Sequence, residues 1–307
     1  MKAQILKLLK AQNGIVSGET LSAALGISRV SIWKHIQRLR EAGYTIQSFP
    51  TGYQLRNSPD IPFPWEFPAR ESKLFYFHEA SSTMDIAKDL ARKGCPDFTV
   101  VLAGRQKKGR GRLNRIWRSD RGGLYFTIVL RPQIPIMLST RISFLASMTL
   151  ARILREGYDV DARVKWPNDI LVNERKISGM LTEMEAEADR VNFFNIGIGI
   201  NVNNDPSRSV AQAFSLKKIL GRQISRKELL SRFLDEFESG MQLVDFDCIV
   251  SEWKKYTITL NRYVRIVTNQ ETLEGIATDV DDNGALILKM ADGSLKEILY
   301  GDCFHQN

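Results

Sequence analysis

The chain has 307 residues, 43% hydrophobic and 25% charged, an ordinary globular balance that predicts one large domain with smaller ones. Its net charge of +8 is that of a basic protein, and its cysteines, Cys95, Cys248 and Cys303, are too few and too scattered for a disulfide framework or a CxxC zinc site. No apolar run approaches the ~20 residues that span a bilayer, and the first ten residues lack the apolar core of a signal peptide, so no membrane partner and a reducing cytoplasm are expected.

The first 56 residues carry eight Lys or Arg against two acids, Glu19 and Glu41. A small cationic module fits a polyanionic partner, although charge alone does not separate that from a solubilising face. Ile5, Leu6, Leu8 and Leu9 form one apolar helical face, and Leu21, Ala24 and Leu25 a second that stops at Gly26. Ser28 is a good N-cap for a third helix, with Val30, Ile32, Trp33, Ile36 and Leu39 as its expected buried positions and Gly43 as its end. Tyr44–Leu55, turning at Thr51-Gly52, reads as a two-stranded wing. Helix, tight turn and helix followed by a wing point to DNA binding, with Ser28, Arg29, Ser31, Lys34 and Arg38 as the candidate contacts. A three-helix protein-interaction module is the alternative.

Pro59, Pro62, Pro64 and Pro68 crowd residues 57–70, which predicts a linker. A mixed block, 71–259, follows. Its most informative segment runs from Gly104 to Trp117 and holds Gln106, Gly109, Arg110, Gly111, Arg112 and Arg115. Glycines let backbone approach a ligand, and arginines offer planar forks to phosphate or carboxylate. So many cations and glycines predict a loop that is mobile until an anion arrives. It is not a P-loop, because no Gly-Lys-Ser/Thr occurs.

Lys165 stands on a strand-like segment that stops at Pro167, in the run Lys165-Trp166-Pro167-Asn168-Asp169. Residues 177–183 read as the returning strand of a hairpin turning at Asn173-Glu174. Asn195–Asn203 is a strand whose two interior glycines, Gly197 and Gly199, mark close approach of a ligand or another backbone. The tail, 260–307, alternates at Tyr263–Val267 and turns at Asp281–Gly284 and Asp292-Gly293, which predicts short strands closing a small barrel. No Ser-His-Asp or Cys-His arrangement is visible, and His35, His78 and His305 read as ordinary histidines.

Ser81-Ser82-Thr83, the Gly-Arg-Gly-Arg loop ending at Trp117, the Lys-Trp-Pro-Asn-Asp run and the Gly-Ile-Gly-Ile-Asn strand occur in the order and spacing of biotin-protein ligases, which the chain resembles over nearly its whole length. The resemblance implies an α+β protein: a winged helix-turn-helix head (1–56), a catalytic domain on a mixed sheet and a small SH3-like barrel. It implies that biotin's carboxylate attacks the α-phosphate of ATP, and that a lysine of a biotin carboxyl carrier domain of a biotin-dependent carboxylase then takes the biotinyl group. Two anions 4 Å apart repel by ~1 kcal/mol in bulk water and ~4 kcal/mol at an effective dielectric of 20. Fixed cations are therefore needed, and Lys165 with Arg112 is the leading catalytic pair.

By resemblance, Ser82, Thr83, Met84, Gln106, Arg110, Gly111, Arg112 and Lys165 hold biotin. Gly109, Arg110, Arg112, Arg115, Trp117, Asn168 and Asn201 hold the adenylate. For Trp117 an ordinary core tryptophan is equally open. Mg²⁺ is expected with ATP, and no protein ligand is assigned to it. Relatives with such a head dimerise when adenylate-bound and repress biotin-synthesis genes, which implies operator DNA and a ligand-linked homodimer. Two positions depart from the pattern: Met84 replaces Asn or Gln, and Asn114 replaces Gly. The rival readings are a biotin sensor without catalysis, a ligase whose head binds protein, and a lipoate or octanoate ligase.

Overall fold

The computed structural model of the chain describes residues 1–12, 14–113, 115–132, 134–187, 190–206, 213–243 and 246–306. These fall into two compact units, Met1–Ser72 and Lys73–Asn307.

In the smaller unit, helix α1 (Lys2–Ala11) buries Ala3, Ile5, Leu6 and Leu9. Helix α2 (Gly18–Leu25) starts on the Ser17 side chain, which accepts from the Thr20 amide, and ends at Gly26 in the left-handed region, φ 64°. Helix α3 (Arg29–Glu41) starts on Ser28 as expected and buries Ile32, Ile36 and Leu39. Val30 and Trp33, expected in this core, are instead 63% and 51% exposed. Helical geometry gives the reason: at about 100° per residue they lie roughly 150° and 100° round the helix from the centre of the buried trio. Strands β1 (Thr45–Phe49) and β2 (Gly52–Asn57) pair antiparallel as the wing, and Val16 pairs with Tyr53 beside them.

The proline-rich stretch is packed rather than strung out. The Phe63 and Trp65 rings stack 4.5 Å apart, and Trp65 Nε1 donates to Tyr44 Oη at 3.0 Å. Glu66 accepts from Tyr44 and Ser58 and pairs with Lys10 at 3.0 Å. Burial and the neighbouring carboxylate hold the Tyr44 phenol far above its ordinary range. Proline forbids a regular helix here but does not forbid burying Phe63 and Phe67.

The larger unit is built on a seven-stranded mixed sheet. Its strands are β3 (Leu74–Phe77), β4 (Thr99–Ala103), β5 (Leu124–Leu130), β6 (Ala162–Lys165), β7 (Asp169–Val172), β8 (Arg175–Glu187) and β9 (Arg190–Ile200), in spatial order β3-β4-β5-β9-β8-β7-β6. The β3–β4 pair is parallel and the other neighbours are antiparallel. Helix α4 (Thr83–Arg92) lays Ala87 and Ala91 on Val101, Val129 and Phe193. Phe126 of β5 meets Phe233 of helix α6 (Arg226–Leu243) at 5.6 Å, which places α6 against the opposite face. Helix α5 (Ser139–Tyr158) packs beside α6, and its Phe144 stacks on Trp253. Helices on both faces explain why all seven residues of β5 are buried.

The tail folds as a five-stranded antiparallel sheet of β10 (Tyr263–Val267), β11 (Thr272–Val280), β12 (Leu286–Lys289), β13 (Leu295–Ile298) and β14 (Asp302–His305), in spatial order β13-β12-β11-β10-β14. Gly284 and Gly293 sit in its turns at φ 84° each, where the Asp-Asn-Gly and Asp-Gly signals put them. Among the described residues no helix is long and apolar enough to cross a membrane.

Candidate active site

One cavity of about 750 Å³ opens in the larger unit. The β6–β7 hairpin brings Lys165 to it. Between these strands Trp166 is buried, its backbone N–H donating to Thr259 Oγ1 at 2.9 Å and its indole N–H to the Gly284 carbonyl at 3.0 Å. The bend after the lysine's strand is thus tied to the tail at Gly284 and to Thr259 just before it. Asn168, just past the bend, donates to the Met180 carbonyl and accepts from Arg112 at 3.4 Å.

The 104–117 segment is a short hairpin folded on itself. The Gly109 carbonyl accepts from the Trp117 amide at 2.9 Å, and the Arg115 carbonyl from the Gly111 amide at 2.8 Å. Arg110 reaches two carboxylates, Glu183 at 2.8 Å and Asp85 at 3.2 Å. Arg115 pairs with Asp302. Arg112 is half-buried, and desolvation pulls its guanidinium below the usual value while Asp302 and Asp169 oppose the shift. Among the described residues neither Arg112 nor Lys165 has a carboxylate partner.

Trp117 explains the glycines of the sheet. Gly179 and Gly199 are cross-strand partners on β8 and β9. A Cβ on Gly199 would lie 2.4 Å from Trp117 Nε1, and one on Gly179 would lie 3.1 Å from the same indole. The ring lies on the bare backbone of that pair. Gly197 does the same for Met84, whose sulfur would be 2.5 Å from an added Cβ. A polar chain runs alongside. Thr127 donates to Thr83 Oγ1 at 2.9 Å. The Thr83 amide and hydroxyl donate to Gln106 Oε1 at 2.7 and 3.0 Å, and Gln106 Nε2 donates to Ser119 Oγ at 2.9 Å. Ser82 Oγ is buried without a partner.

Ser82, Thr83, Met84, Gln106, Arg110, Gly111, Arg112, Arg115, Trp117, Lys165, Asn168 and Asn201 all line this cavity. Gly109 does not. It is buried beneath the loop, where a Cβ would strike the Trp117 carbonyl at 2.4 Å, so it serves loop closure. Asn201 is also nearly buried, its Oδ1 accepting from Asn204 at 2.9 Å.

Residues 76–203 match the biotin/lipoate A/B protein ligase family, residues 2–54 a helix-turn-helix domain and residues 259–306 the biotin protein ligase C-terminal domain. Bifunctional ligase/repressor BirA of Bacillus subtilis is 35% identical over 95% of this chain and 94% of its own. The chain belongs to the family of bifunctional biotin-protein ligase/repressors. The Escherichia coli member is 28% identical over 96% of this chain and 94% of its own. A biotin protein ligase from Aquifex aeolicus, solved in complex with biotin and ATP, superposes with a TM-score of 0.65 at 27% identity, over 76% of this chain and 98% of that one.

Met84, one of the two expected departures from the family pattern, puts a buried thioether under Gly197. Asn114 lies outside the described residues. Several lining residues escaped the motif reading. Lys176 bonds Asp169 at 2.7 Å and stands 5.3 Å from the Trp117 ring centroid. Arg118 lines the same cavity, and so do Asp302, Cys303, Phe304 and His305 of β14. His305 is therefore no ordinary surface histidine: burial, with Lys165 and Arg262 adding to it, brings its pKa down to about 4. The Cys303 thiol is pushed up to about 12 by burial, which leaves it a protonated, inert lining group.

Proposed function

We propose that this protein joins biotin to ATP, giving biotinyl-5′-AMP and pyrophosphate, and passes the biotinyl group to one lysine of a biotin carboxyl carrier domain. The observation that carries the reading is convergence: the motif residues from four separate stretches line one cavity of ligand size. In the first step a carboxylate oxygen bonds to the α-phosphorus and the bond to the pyrophosphate oxygen breaks. Lys165 and Arg112, both without a carboxylate partner among the described residues, supply fixed positive charge where the two anions meet. In the second, the carrier amine attacks the acyl carbon and AMP leaves, so the nucleophile belongs to the partner.

Ser82, Thr83 and Gln106 offer the donors and acceptors that a ureido ring requires, a polar set unsuited to a lipoyl or octanoyl chain. Asn168 braces Arg112, and Asn201 faces the adenine. Mg²⁺ enters on the ATP substrate. No protein ligand is assigned to it; phosphate oxygens and water would supply most of its ligands. The head binds operator DNA as part of an adenylate-linked homodimer, its two copies serving half-sites about one helical turn apart. Three free cysteines suit work in a reducing cytoplasm.

The test is incubation with ATP, Mg²⁺, biotin and a carrier domain, read as mass gained on the carrier lysine, with Lys165→Ala in parallel. Transfer by the parent and its loss in the variant is the expected result. A folded, biotin-binding parent that transfers nothing would overturn the enzyme reading and leave a biotin-sensing regulator.

A further inference from the structure

We propose that Val30 and Trp33 of α3 form an apolar reading surface for the thymine 5-methyl group in the major groove of the DNA this head binds. The proposal rests on the DNA-binding reading and adds to it the base chemistry that is read.

Both side chains are exposed on a thirteen-residue helix whose opposite face is buried core. At about 100° per residue, Trp33, Gln37 and Val30 follow one another across roughly 60° of the exposed arc, with Arg29 on one flank and Lys34 and Arg38 on the other, while Glu41 shares that arc only at the far, C-terminal end of the helix. The three cations are exposed as well. The hydroxyls that might read bases are engaged elsewhere: Ser28 Oγ accepts from the Ser31 amide at 3.2 Å and bonds the Ser31 hydroxyl at 3.1 Å. They cap the helix. With its amide turned to accept from Arg40, Gln37 also takes the Trp33 indole N–H at 3.2 Å. What Trp33 offers outward is therefore ring surface, without a free donor.

The outward face of α3 thus has an apolar centre and a cationic rim. The major groove has the complementary plan, with phosphates along its edges and thymine methyl groups on its floor. A protein partner would meet three like charges around two apolar residues, on a head whose first 56 residues hold eight basic residues against two acids. Charge complementarity selects a polyanion. Val30, in the first turn of α3, stands where recognition helices meet base edges.

The experiment selects duplexes from a random library with the full chain, biotin and ATP present. Each thymine in the enriched sequence is then replaced in turn by uracil, which lacks only the methyl. The expected result is at least one thymine per half-site whose replacement weakens parent binding about fourfold, the worth of one methyl removed from water. Val30→Ala should bind the thymine duplex correspondingly less well and lose the thymine–uracil difference, and Trp33→Ala should lower affinity in parallel.

Parent binding blind to every replacement overturns the proposal while leaving DNA binding intact. So does a Val30→Ala variant that keeps the difference, or variants that change only the oligomeric state in sedimentation. If no duplex is retained, and Arg29→Ala and Lys34→Ala change nothing, the DNA reading itself has failed and this proposal falls with it.

Discussion

The indole of Trp117 occupies space that only glycine leaves free. Gly179 and Gly199 pair across β8 and β9, and the ring lies over both. The two glycines in a strand were therefore readable as a close approach, although the approaching group is a side chain of this same chain as well as any ligand. Gly199→Ala puts a methyl 2.4 Å from Trp117 Nε1. Backbone strain is absent at this position, so the sheet should survive and the indole should move. Because Trp117 closes the hairpin that carries Arg110 and Arg112, its displacement shifts the loop cations. A misplacement near 1 Å can cost roughly a hundredfold in rate. We expect Gly199→Ala to slow biotin-dependent pyrophosphate exchange by roughly ten- to a hundredfold, with the thermal midpoint little changed. A variant as active as the parent would show that the indole's seat is structural and irrelevant to chemistry.

At the scale of elements, the instructive strand is β14. Sequence reading expected the tail's short strands to close a small barrel; β14 instead pairs with β10 at one edge of a five-stranded antiparallel sheet, and its side chains also wall the cavity beside Lys165. No local pattern could reveal this, because the juxtaposition is made by tertiary contacts such as Trp166 to Gly284. Lys176 escaped for a similar reason: the β7–β8 hairpin brings it against Asp169. Other elements were legible because their signals are local. Asn173-Glu174 turns with both residues at positive φ, and Ser28 and Gly26 bound the helices they were expected to bound. Val30 and Trp33 were misplaced by weighing apolar character above helical angle, and angular arithmetic alone separates them from the core. The burial of β14 has a measurable consequence. His305, near 6.5 ordinarily, falls to about 4 here through burial, the Lys165 and Arg262 charges adding to it and Glu174 opposing. In the unfolded chain it gains its proton as pH drops through 6.5, while the folded chain resists until about 4. The folded state is therefore favoured fully above pH 6.5, and this contribution is lost between 6.5 and 4. Replacing it by His305→Gln removes the titration. The parent's melting temperature should fall relative to the variant's across that window, and a difference independent of pH would refute the burial argument.

At the scale of the molecule, two compact units with separate cores should answer to different ligands. The smaller rests on Ile5, Leu21, Ile36 and Phe63, and the larger on the aromatic cluster of Phe126, Phe233 and Phe237 and on the sheet beside it. The cavity proposed for biotin and ATP is lined wholly by residues of the larger unit. A ligand at a hundred times its dissociation constant stabilises its host by about 2.7 kcal/mol, which is about 5–10 °C for a unit of this size. Scanning calorimetry should therefore show two transitions, of which biotin with ATP raises only the one with the larger enthalpy. Duplex DNA should raise the other, and less so as salt increases, because each phosphate neutralised by the basic head releases counterions. The salt arm separates an electrostatic head from a module that merely binds protein, since apolar docking strengthens or holds as ionic strength rises. A single transition raised equally by either ligand would mean that the two cores melt as one, and the division of labour between head and catalytic unit would then have no thermodynamic basis.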